Sequence, residues 1–275
     1  MAKPQKKVNK KPLIWVGIAA VIVMALILTA VFFFMDSKEP ENLSYQPKPT
    51  QPPLQSYYDP NDFVLDDNGF MTCLTRDYSI GIDVSSHQGQ IDWQQVKEAG
   101  VEFVFIRVGR RGTTEGQIYA DELSHQNYEG AKEAGLKIGA YFFSQAVTIK
   151  EAEEEAWFVL KEIADWELDM PVVFDWEWGG EGSRTTNLSP SMLTQCNLSF
   201  CQIIYNAGFE PMVYFNEHQG LEQMDLDTLK WYGFWLAMYD SEMLFPYKVD
   251  CWQYTQTGTV PGIEGNVDLN IYLHE

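Results

Sequence analysis

The sequence has little cysteine and little histidine, four residues of each. Its four cysteines and four histidines are scattered, without the paired short spacings of a zinc site. It also lacks a phosphate-binding glycine loop and a Gly-x-Ser-x-Gly turn. We therefore expect no metal and no cofactor. Neither nucleotide binding nor serine-nucleophile chemistry is indicated.

Basic residues are also scarce. The chain has 19 lysines and arginines against 39 acidic residues, and five of the lysines lie within the first 11 residues. The remaining chain has 14 basic and 39 acidic residues, a formal net charge of −25. Because such a surface repels nucleic acid and anionic lipid, we expect no nucleic-acid partner. It cannot be drawn to an anionic cell wall by its charge either.

One long hydrophobic run is present, at residues 13–35. It contains 23 residues and no charged side chain, enough for a helix to cross a hydrocarbon layer roughly 30 Å thick. A cleaved signal peptide is the alternative, but its apolar stretch is normally about 7 to 15 residues and ends in small residues. The basic segment 1–12 precedes the run and acidic residues follow it. We therefore expect a single-pass anchor in the cell membrane, with the N-terminus in the cytoplasm and the remainder outside.

Two further segments precede the main domain. Residues 36–60 contain six prolines among polar residues and predict an extended linker. Residues 61–78 predict a lead-in segment packed on the domain, with a small hairpin around an Asp-Asn-Gly turn.

Within residues 79–275, short apolar runs alternate with helical patterns. We predict eight strands, at 79–84, 103–108, 137–143, 171–176, 210–214, 234–238, 250–254 and 266–270. Helices are predicted at 93–99, 123–134, 149–165, 191–207 and 221–229. Repeated strand-helix units require parallel strands, and eight strands are enough to close a barrel. Because little helix separates the last three strands, we expect an α/β fold: an irregular TIM-like (β/α)5(β)3 barrel.

The positions of the cysteines allow one possible disulfide. Cys196 and Cys201 are five residues apart in a predicted helix, which turns them to different faces. Cys73 and Cys251 remain as candidate partners in a domain whose location permits disulfides.

A pair of carboxylates ends the fourth predicted strand. Asp175 and Glu177 follow an apolar run at i and i+2, so alternation places them on one face at the C-terminal end of the strand. Two crowded acids repel, and one keeps its proton to higher pH. Glycosidic cleavage uses this arrangement, with one acid for the leaving oxygen and one carboxylate beside the sugar. A metal-binding pair, or merely solvated acids, is the alternative for these two residues alone.

Other predicted strand ends supply more polar and aromatic side chains. Asp83 lies near the end of the first strand, and Asp268 lies on the last strand, which we expect to close beside the first. His87 is either a site residue or an ordinary loop residue. Sugar rings stack on aromatic side chains, although each aromatic by itself is more often a core residue. The aromatic residues near the expected site are Tyr141, Trp176, Trp178, Trp235, Tyr239, Trp252 and Tyr254.

Several spaced motifs resemble glycoside hydrolase family 25, the lysozyme or muramidase family. They are Ile80-Gly-Ile-Asp-Val-Ser-Ser-His-Gln-Gly-Gln-Ile-Asp-Trp93, Phe103-Val-Phe-Ile-Arg-Val-Gly109, the stretch from Pro171 to Glu177, and Trp252-Gln-Tyr-Thr255 followed by Gly265 to Asn270. The resemblance runs in order across residues 79–272. It implies an irregular barrel of eight strands and five helices. It also implies hydrolysis of the β-1,4 bond between N-acetylmuramic acid and N-acetylglucosamine in peptidoglycan.

The resemblance assigns a role to each acid. Glu177 matches the general acid, which protonates the leaving oxygen and later activates water. Asp175 matches its partner, either a nucleophile or a carboxylate that stabilises an oxazolinium formed by the substrate's own N-acetyl group, and we favour the second. Asp83 and Asp268 match flanking acids that orient groups and tune charge. Tyr141 matches a substrate-contacting tyrosine, and the predicted substrate contacts are completed by Trp176, Trp235, Tyr239, Trp252 and Gln253.

The sequence departs from the family pattern at two positions. Arg110 stands where an aromatic residue is expected, and Phe142 stands where many members have histidine. Neither change affects the four acids, but both bear on the contacts with the glycan.

The sequence is consistent with three functions. They are a membrane-anchored muramidase, a tethered peptidoglycan-binding module without turnover, and a metal-dependent hydrolase that uses the acid cluster. The four acids favour the first, and a strong chelator would inhibit only the third. Patterns in the sequence leave the oligomeric state and the biological role open.

Overall fold

The computed structural model describes residues 56–239 and 242–274. The predicted basic segment 1–12, the predicted membrane span 13–35 and linker residues 36–55 lie outside them. Among the residues described, no helix is long and apolar enough to cross a membrane.

Eight strands form a closed barrel. They are β3 (Tyr78–Val84), β4 (Phe103–Arg111), β6 (Lys137–Ser144), β7 (Val172–Trp176), β8 (Pro211–Asn216), β9 (Gly233–Ala237), β10 (Cys251–Gly258) and β11 (Val267–Leu273). Their order around the barrel is β3-β11-β10-β9-β8-β7-β6-β4, and pairing of β3 with β4 closes it. The predicted eight-stranded α/β barrel is therefore confirmed.

Helices cover the outside of the barrel between the early strands. They are α1 (Trp93–Glu98), α2 (Ser124–Glu133), α3 (Ile149–Glu162) and α4 (Pro190–Asn206). Oxygen-bearing side chains cap three of them: Asp92 accepts from the Gln95 N–H, Thr148 from the Glu151 N–H and Ser189 from the Met192 N–H.

The fifth predicted helix is divided. Residues Gln219–Gln223 form one π-helical turn, and the short helix α5 covers Leu226–Leu229. The break falls at Asp225, whose side chain accepts from the Thr228 N–H and so begins a new helix instead of continuing the old one.

The last strand runs in the opposite direction to the others. Seven barrel strands, β3, β4 and β6 to β10, run parallel to one another, whereas β11 is antiparallel to both of its neighbours, β10 and β3. A helix-free connection of eight residues, 259–266, allows this reversal, since a parallel neighbour needs a longer crossover. As a result, the start of β11 lies beside the C-terminal ends of the parallel strands.

Two hairpins flank the barrel. Strands β1 (Phe63–Leu65) and β2 (Met71–Cys73) form the lead-in hairpin, with Gly69 at a φ of 84° in the turn. A short strand not predicted from the sequence, β5 (Ile118–Ala120), pairs with the extended end of β4. The packed part begins before residue 61, since the Tyr58 hydroxyl donates to the Val249 carbonyl at 2.7 Å.

Alternation along the strands divides the apolar side chains into two layers. The layer inside the barrel contains Phe103, Phe105, Tyr141, Val173, Met212, Tyr214, Trp235, Ala237 and Cys251. A larger layer lies outside the strands, beneath the helices and the lead-in hairpin, and includes Phe174, Trp176 and Trp252. Both layers are almost completely buried, so polar groups reach solvent mainly at the ends of the barrel.

The possible disulfide between Cys73 and Cys251 is not formed in the structure. All four cysteines are free and buried. Cys251 faces the interior of the barrel, whereas Cys73 belongs to the layer outside it. The wall of the barrel separates the two thiols, so no bridge can form.

Candidate active site

The four predicted acids line one pocket at the C-terminal ends of the parallel strands. Asp83 lies near the end of β3, Asp175 near the end of β7, Glu177 directly after β7, and Asp268 at the second position of β11. All four border a cavity of about 760 Å³. Asp268 reaches this end of the barrel because β11 is antiparallel, which places it opposite Asp83 in the β3–β11 register.

Asp83 is the centre of a buried hydrogen-bond network. Its Oδ2 accepts from Gln253 Nε2 at 2.8 Å and from Asn270 Nδ2 at 2.9 Å. Gln253 Oε1 in turn accepts from the hydroxyls of Tyr214, at 3.0 Å, and Tyr239, at 2.8 Å. The network therefore holds Asp83 as an acceptor with a fixed orientation.

Asp83 and Asp268 share one proton. Burial raises the pKa of Asp268 to about 9, and the neighbouring charge of Asp83 adds to the rise. Burial also raises the pKa of Asp83, but hydrogen bonds from Asn270, Gln253 and Asp268 act against this rise. The proton therefore resides on Asp268, which donates to Asp83.

The second pair of acids is also held towards the protonated form. Burial, and then the charge of Glu177, raises the pKa of Asp175 well above its usual range. Burial, followed by the charge of Asp83, raises the pKa of Glu177. Asp175 Oδ1 is buried without a hydrogen-bond partner among the described residues. This oxygen is available to a donor on a bound molecule.

The backbone that carries Glu177 is fixed by the loop after β6. Gln145, which is completely buried, donates from Nε2 to the Glu177 carbonyl at 2.5 Å. The Glu177 N–H donates to the Ser144 carbonyl at 3.4 Å. These contacts hold the partly exposed Glu177 side chain at the edge of the pocket.

Four of the six predicted substrate-contacting residues line the pocket: Tyr141, Trp235, Tyr239 and Gln253. Trp235 forms its floor, since it is 1% exposed and its Nε1 donates to Asn270 Oδ1 at 2.8 Å. Tyr239 lies at the rim and is 47% exposed. His87 also lines the pocket.

The structure does not support substrate contacts by Trp176 and Trp252. Both side chains lie outside the barrel wall and are at most 2% exposed. Trp176 Nε1 donates to the Ala146 carbonyl, and Trp252 Nε1 donates to the Met238 carbonyl. Their strand neighbours Asp175 and Gln253 face the pocket, so alternation directs the two tryptophans outward.

Strand alternation could have identified three pocket or network residues that the sequence reading missed. Tyr214 and Arg107 are polar residues in line with inward-facing apolar ones, Met212 and Phe105. Asn270 follows Asp268 at i+2 and therefore shares its face. Gln145, in contrast, lies in a loop, where no periodicity applies.

The two departures from the family pattern have different positions. Phe142 is fully buried outside the barrel wall, against Phe158. Arg110 lines the pocket. Within the described ranges, no group of three or more histidine, cysteine or acidic residues is arranged to hold a metal ion.

An eight-stranded barrel with its site at the C-terminal strand ends is the architecture of the α/β-barrel enzymes, and glycoside hydrolases among them use paired carboxylates. The chain belongs to glycosyl hydrolase family 25, whose sequence profile matches residues 82–263.

Individual relatives agree with this assignment. The autolytic lysozyme of Clostridium acetobutylicum is 32% identical over 191 residues, covering 69% of this chain and 54% of that protein. Lysozyme M1 of Streptomyces globisporus is 30% identical over 204 residues, covering 69% of this chain and 66% of that protein. A bacterial lysozyme structure from Streptomyces coelicolor is 28% identical with a TM-score of 0.56, covering 70% of this chain and 91% of that one. The chain thus spans about half to two thirds of the length of the two curated relatives.

Replacing Asp268 by asparagine is expected to stabilise the fold in a pH-dependent way. The pKa of Asp268 is about 9 in the folded chain and about 3.9 when unfolded. Ionisation at Asp268 therefore lowers stability progressively as pH rises between these values. The free energy of unfolding of Asp268→Asn should match that of the parent protein near pH 4 and exceed it increasingly towards pH 9.

Urea denaturation at a series of pH values measures this difference. Asp67→Asn, in the exposed turn of the lead-in hairpin, is the matched control and should show no such trend. A constant difference between Asp268→Asn and the parent protein from pH 4 to 9 would contradict the shared-proton arrangement.

Proposed function

We propose that the protein is a peptidoglycan hydrolase of the N-acetylmuramidase type. It cleaves the β-1,4 bond between N-acetylmuramic acid and N-acetylglucosamine. Membership of glycosyl hydrolase family 25 and similarity to two proteins named as lysozymes support this proposal. The observation that carries it is the convergence of Asp83, Asp175, Glu177 and Asp268 on one pocket, where burial raises the pKa of each acid.

In this proposal Glu177 is the general acid and later the general base. Its carboxyl group is the more exposed of the Asp175–Glu177 pair, so it can reach the leaving oxygen. Burial and the charge of Asp83 raise the pKa of Glu177, and this keeps a proton on Glu177 at pH values where an ordinary glutamate has lost it. The same group then accepts a proton from the attacking water.

Asp175 stabilises the intermediate in a substrate-assisted reaction. Its Oδ1, buried and unpartnered among the described residues, can accept the amide N–H of the substrate's N-acetyl group. That hydrogen bond favours the negative charge on Asp175 and leaves the shared proton of the pair with Glu177. The acetyl oxygen is then oriented to attack the anomeric carbon and form an oxazolinium.

Glu177→Gln should strongly reduce turnover. The amide cannot protonate the leaving oxygen, so we expect kcat on purified peptidoglycan to fall by about 100- to 10,000-fold. New reducing ends measure turnover, and mass spectrometry of the fragments identifies the sugar at each new end.

Glu181→Gln, an exposed glutamate in the loop that follows Glu177, is the control and should retain full activity. Undiminished activity of Glu177→Gln would exclude Glu177 as the acid. A parent protein that binds the glycan without releasing reducing ends would instead support the non-catalytic binding module.

The substrate-assisted route predicts inhibition by a thiazoline analogue of the oxazolinium. The stable ring resembles the intermediate, so it should inhibit competitively and bind at least about 100-fold more tightly than the parent sugar. Asp175→Asn should lose this preference. If a 2-fluoro glycoside instead traps a covalent adduct on Asp175, as measured by peptide mass spectrometry, Asp175 is a nucleophile.

We further propose that the catalytic barrel is held at the outer surface of the cell membrane by residues 13–35, with residues 1–12 in the cytoplasm. The uncharged 23-residue run and the lysines before it support this topology. A tether supplies a high local concentration of enzyme near the wall, which an acidic surface cannot obtain by charge.

The anchor predicts that the chain remains in the membrane fraction after alkaline carbonate extraction and is released by detergent. Its intact mass should include residues 13–35. Met24→Arg, at the centre of the run, should weaken insertion because a central arginine costs about 2.5 to 3.5 kcal/mol. A mature mass that begins after residue 35 would show that the run is a cleaved signal peptide.

A further inference from the structure

Strand β4 carries a bulge where it reaches the pocket. Arg107 pairs with Tyr141 of β6, but the next pair is Gly109 with Phe142, so Val108 is the extra residue. A bulge reverses the direction of the side chains that follow it. Without it, Arg110 would point outward and Arg111 inward; with it, Arg110 lines the pocket beside Phe143, its partner in register.

The three arginines of β4 have different environments. Arg107 Nε donates to Asp121 Oδ2 at 2.9 Å, and Arg111 Nε donates to Glu155 Oε1 at 2.5 Å, so both are neutralised by buried carboxylates. Arg110 has no carboxylate partner among the described residues, and its side chain is exposed. It packs over the ring of Tyr119, with its guanidinium carbon 4.8 Å from the ring centroid.

The pairing with Tyr119 places the Arg110 guanidinium without neutralising it. Tyr119 lies opposite Arg110 in the β4–β5 register, so the unpredicted strand β5 supplies the supporting ring. An aromatic face restrains the planar group and leaves its N–H donors available. A guanidinium held in one orientation can bind a carboxylate through two parallel hydrogen bonds.

The acids of the pocket favour a positively charged group for binding an acidic substrate. Four carboxylic acids border the cavity, and the chain beyond residue 11 has a formal net charge of −25. Muramic acid bears a lactyl ether whose carboxylate is either free or joined to a peptide stem that has carboxylates of its own. These anions are repelled by the acids unless a cation meets them, whereas a chain of N-acetylglucosamine alone has no such charge.

We propose that Arg110 binds a carboxylate carried by the muramic acid unit and makes the site selective for that acidic sugar over neutral amino sugars. This inference rests on the proposed muramidase function and identifies the chemical group that the site recognises. The lactyl group and the peptide stem are the two sources of that carboxylate.

The test compares four uncrosslinked glycan preparations. Two retain their peptide stems, with the stem carboxylates either free or amidated. Two have had the stems removed, with the lactyl carboxylate either free or converted to its methylamide. The 275-residue chain in detergent and its Arg110→Gln variant are assayed on each by release of reducing ends.

We expect Arg110→Gln to lower kcat/KM by about 10- to 100-fold on the preparation that carries the recognised carboxylate. The loss should lie in KM, since Arg110 contacts a substituent and not the reacting bond. On the matching neutral preparation, the variant and the parent should be equal. The preparation that shows the loss identifies the source, stem or lactyl group.

Arg76→Gln is the matched control. Arg76 is also exposed and lies over a tyrosine ring, 5.3 Å from the centroid of Tyr58, but it is not part of the pocket. Arg76→Gln removes the same charge and the same type of ring contact. It should leave kcat/KM equal to that of the parent protein on all four preparations. Arg110→Met, which keeps the aliphatic stem over Tyr119, is the second neutral variant and should behave as Arg110→Gln does.

Two results would overturn the inference: equal activity of the Arg110 variants and the parent on both carboxylate-bearing preparations, or an equal loss on charged and neutral preparations. In either case the parent protein still cleaves the glycan. A parent protein that cleaves none of the four preparations would instead remove the proposed muramidase function.

Discussion

The closure of the barrel brings two carboxylates, Asp83 and Asp268, into contact in a buried position, and the rest of the site depends on how that contact is satisfied. Two adjacent carboxylates cannot both ionise where water is scarce. Donors from Gln253 and Asn270 hold Asp83 as the acceptor, so the proton stays on Asp268. Burial raises the pKa of Glu177, and the charge that remains on Asp83 raises it further. A contact between two strands thus contributes, together with burial, to keeping a proton on the proposed catalytic acid.

The same polar groups connect strands that are distant in sequence. The network runs from Tyr214 on β8 through Gln253 on β10 to Asp83 on β3, and from Asp83 through Asn270 on β11 to Trp235 on β9. Buried polar groups are costly unless each finds a partner. Each side chain in this network has one. Asp175, in the same pocket but outside the network, has an Oδ1 without a partner among the described residues, and this oxygen lies where a substrate amide is proposed to bind.

Positive charge is distributed around the pocket by a single irregularity in β4. The bulge assigns Arg111 to the buried Glu155 outside the barrel and Arg110 to the rim of the pocket. Arg110 therefore supplies a positive charge at the rim of a pocket that four acids border. An enzyme with an acidic surface gains nothing from long-range attraction to an anionic wall, so recognition is left to short-range contacts of this kind and local concentration to the proposed tether.

Local patterns determined a large part of the structure. Apolar runs and glycine punctuation located all eight barrel strands and four of the helices, and the i, i+2 spacing placed Asp175 and Glu177 on one face. The family motifs in the sequence located Asp83, Asp268, Tyr141 and Gln253, all of which reach the pocket. These features could be predicted because alternation and helical periodicity are recorded in neighbouring residues.

Tertiary structure alone decided the rest. It set the reversed direction of β11, which puts Asp268 opposite Asp83, and the bulge that turns Arg110 inward. It placed Trp176 and Trp252 outside the wall and separated Cys73 from Cys251. A strand pattern shows which residues share a face, but not which face is inside, which strand is its neighbour or where a register shift reverses the alternation. Those outcomes follow from closing eight strands into a ring. Each strand must form backbone hydrogen bonds with two neighbouring strands while its side chains pack in the layers on both of its faces.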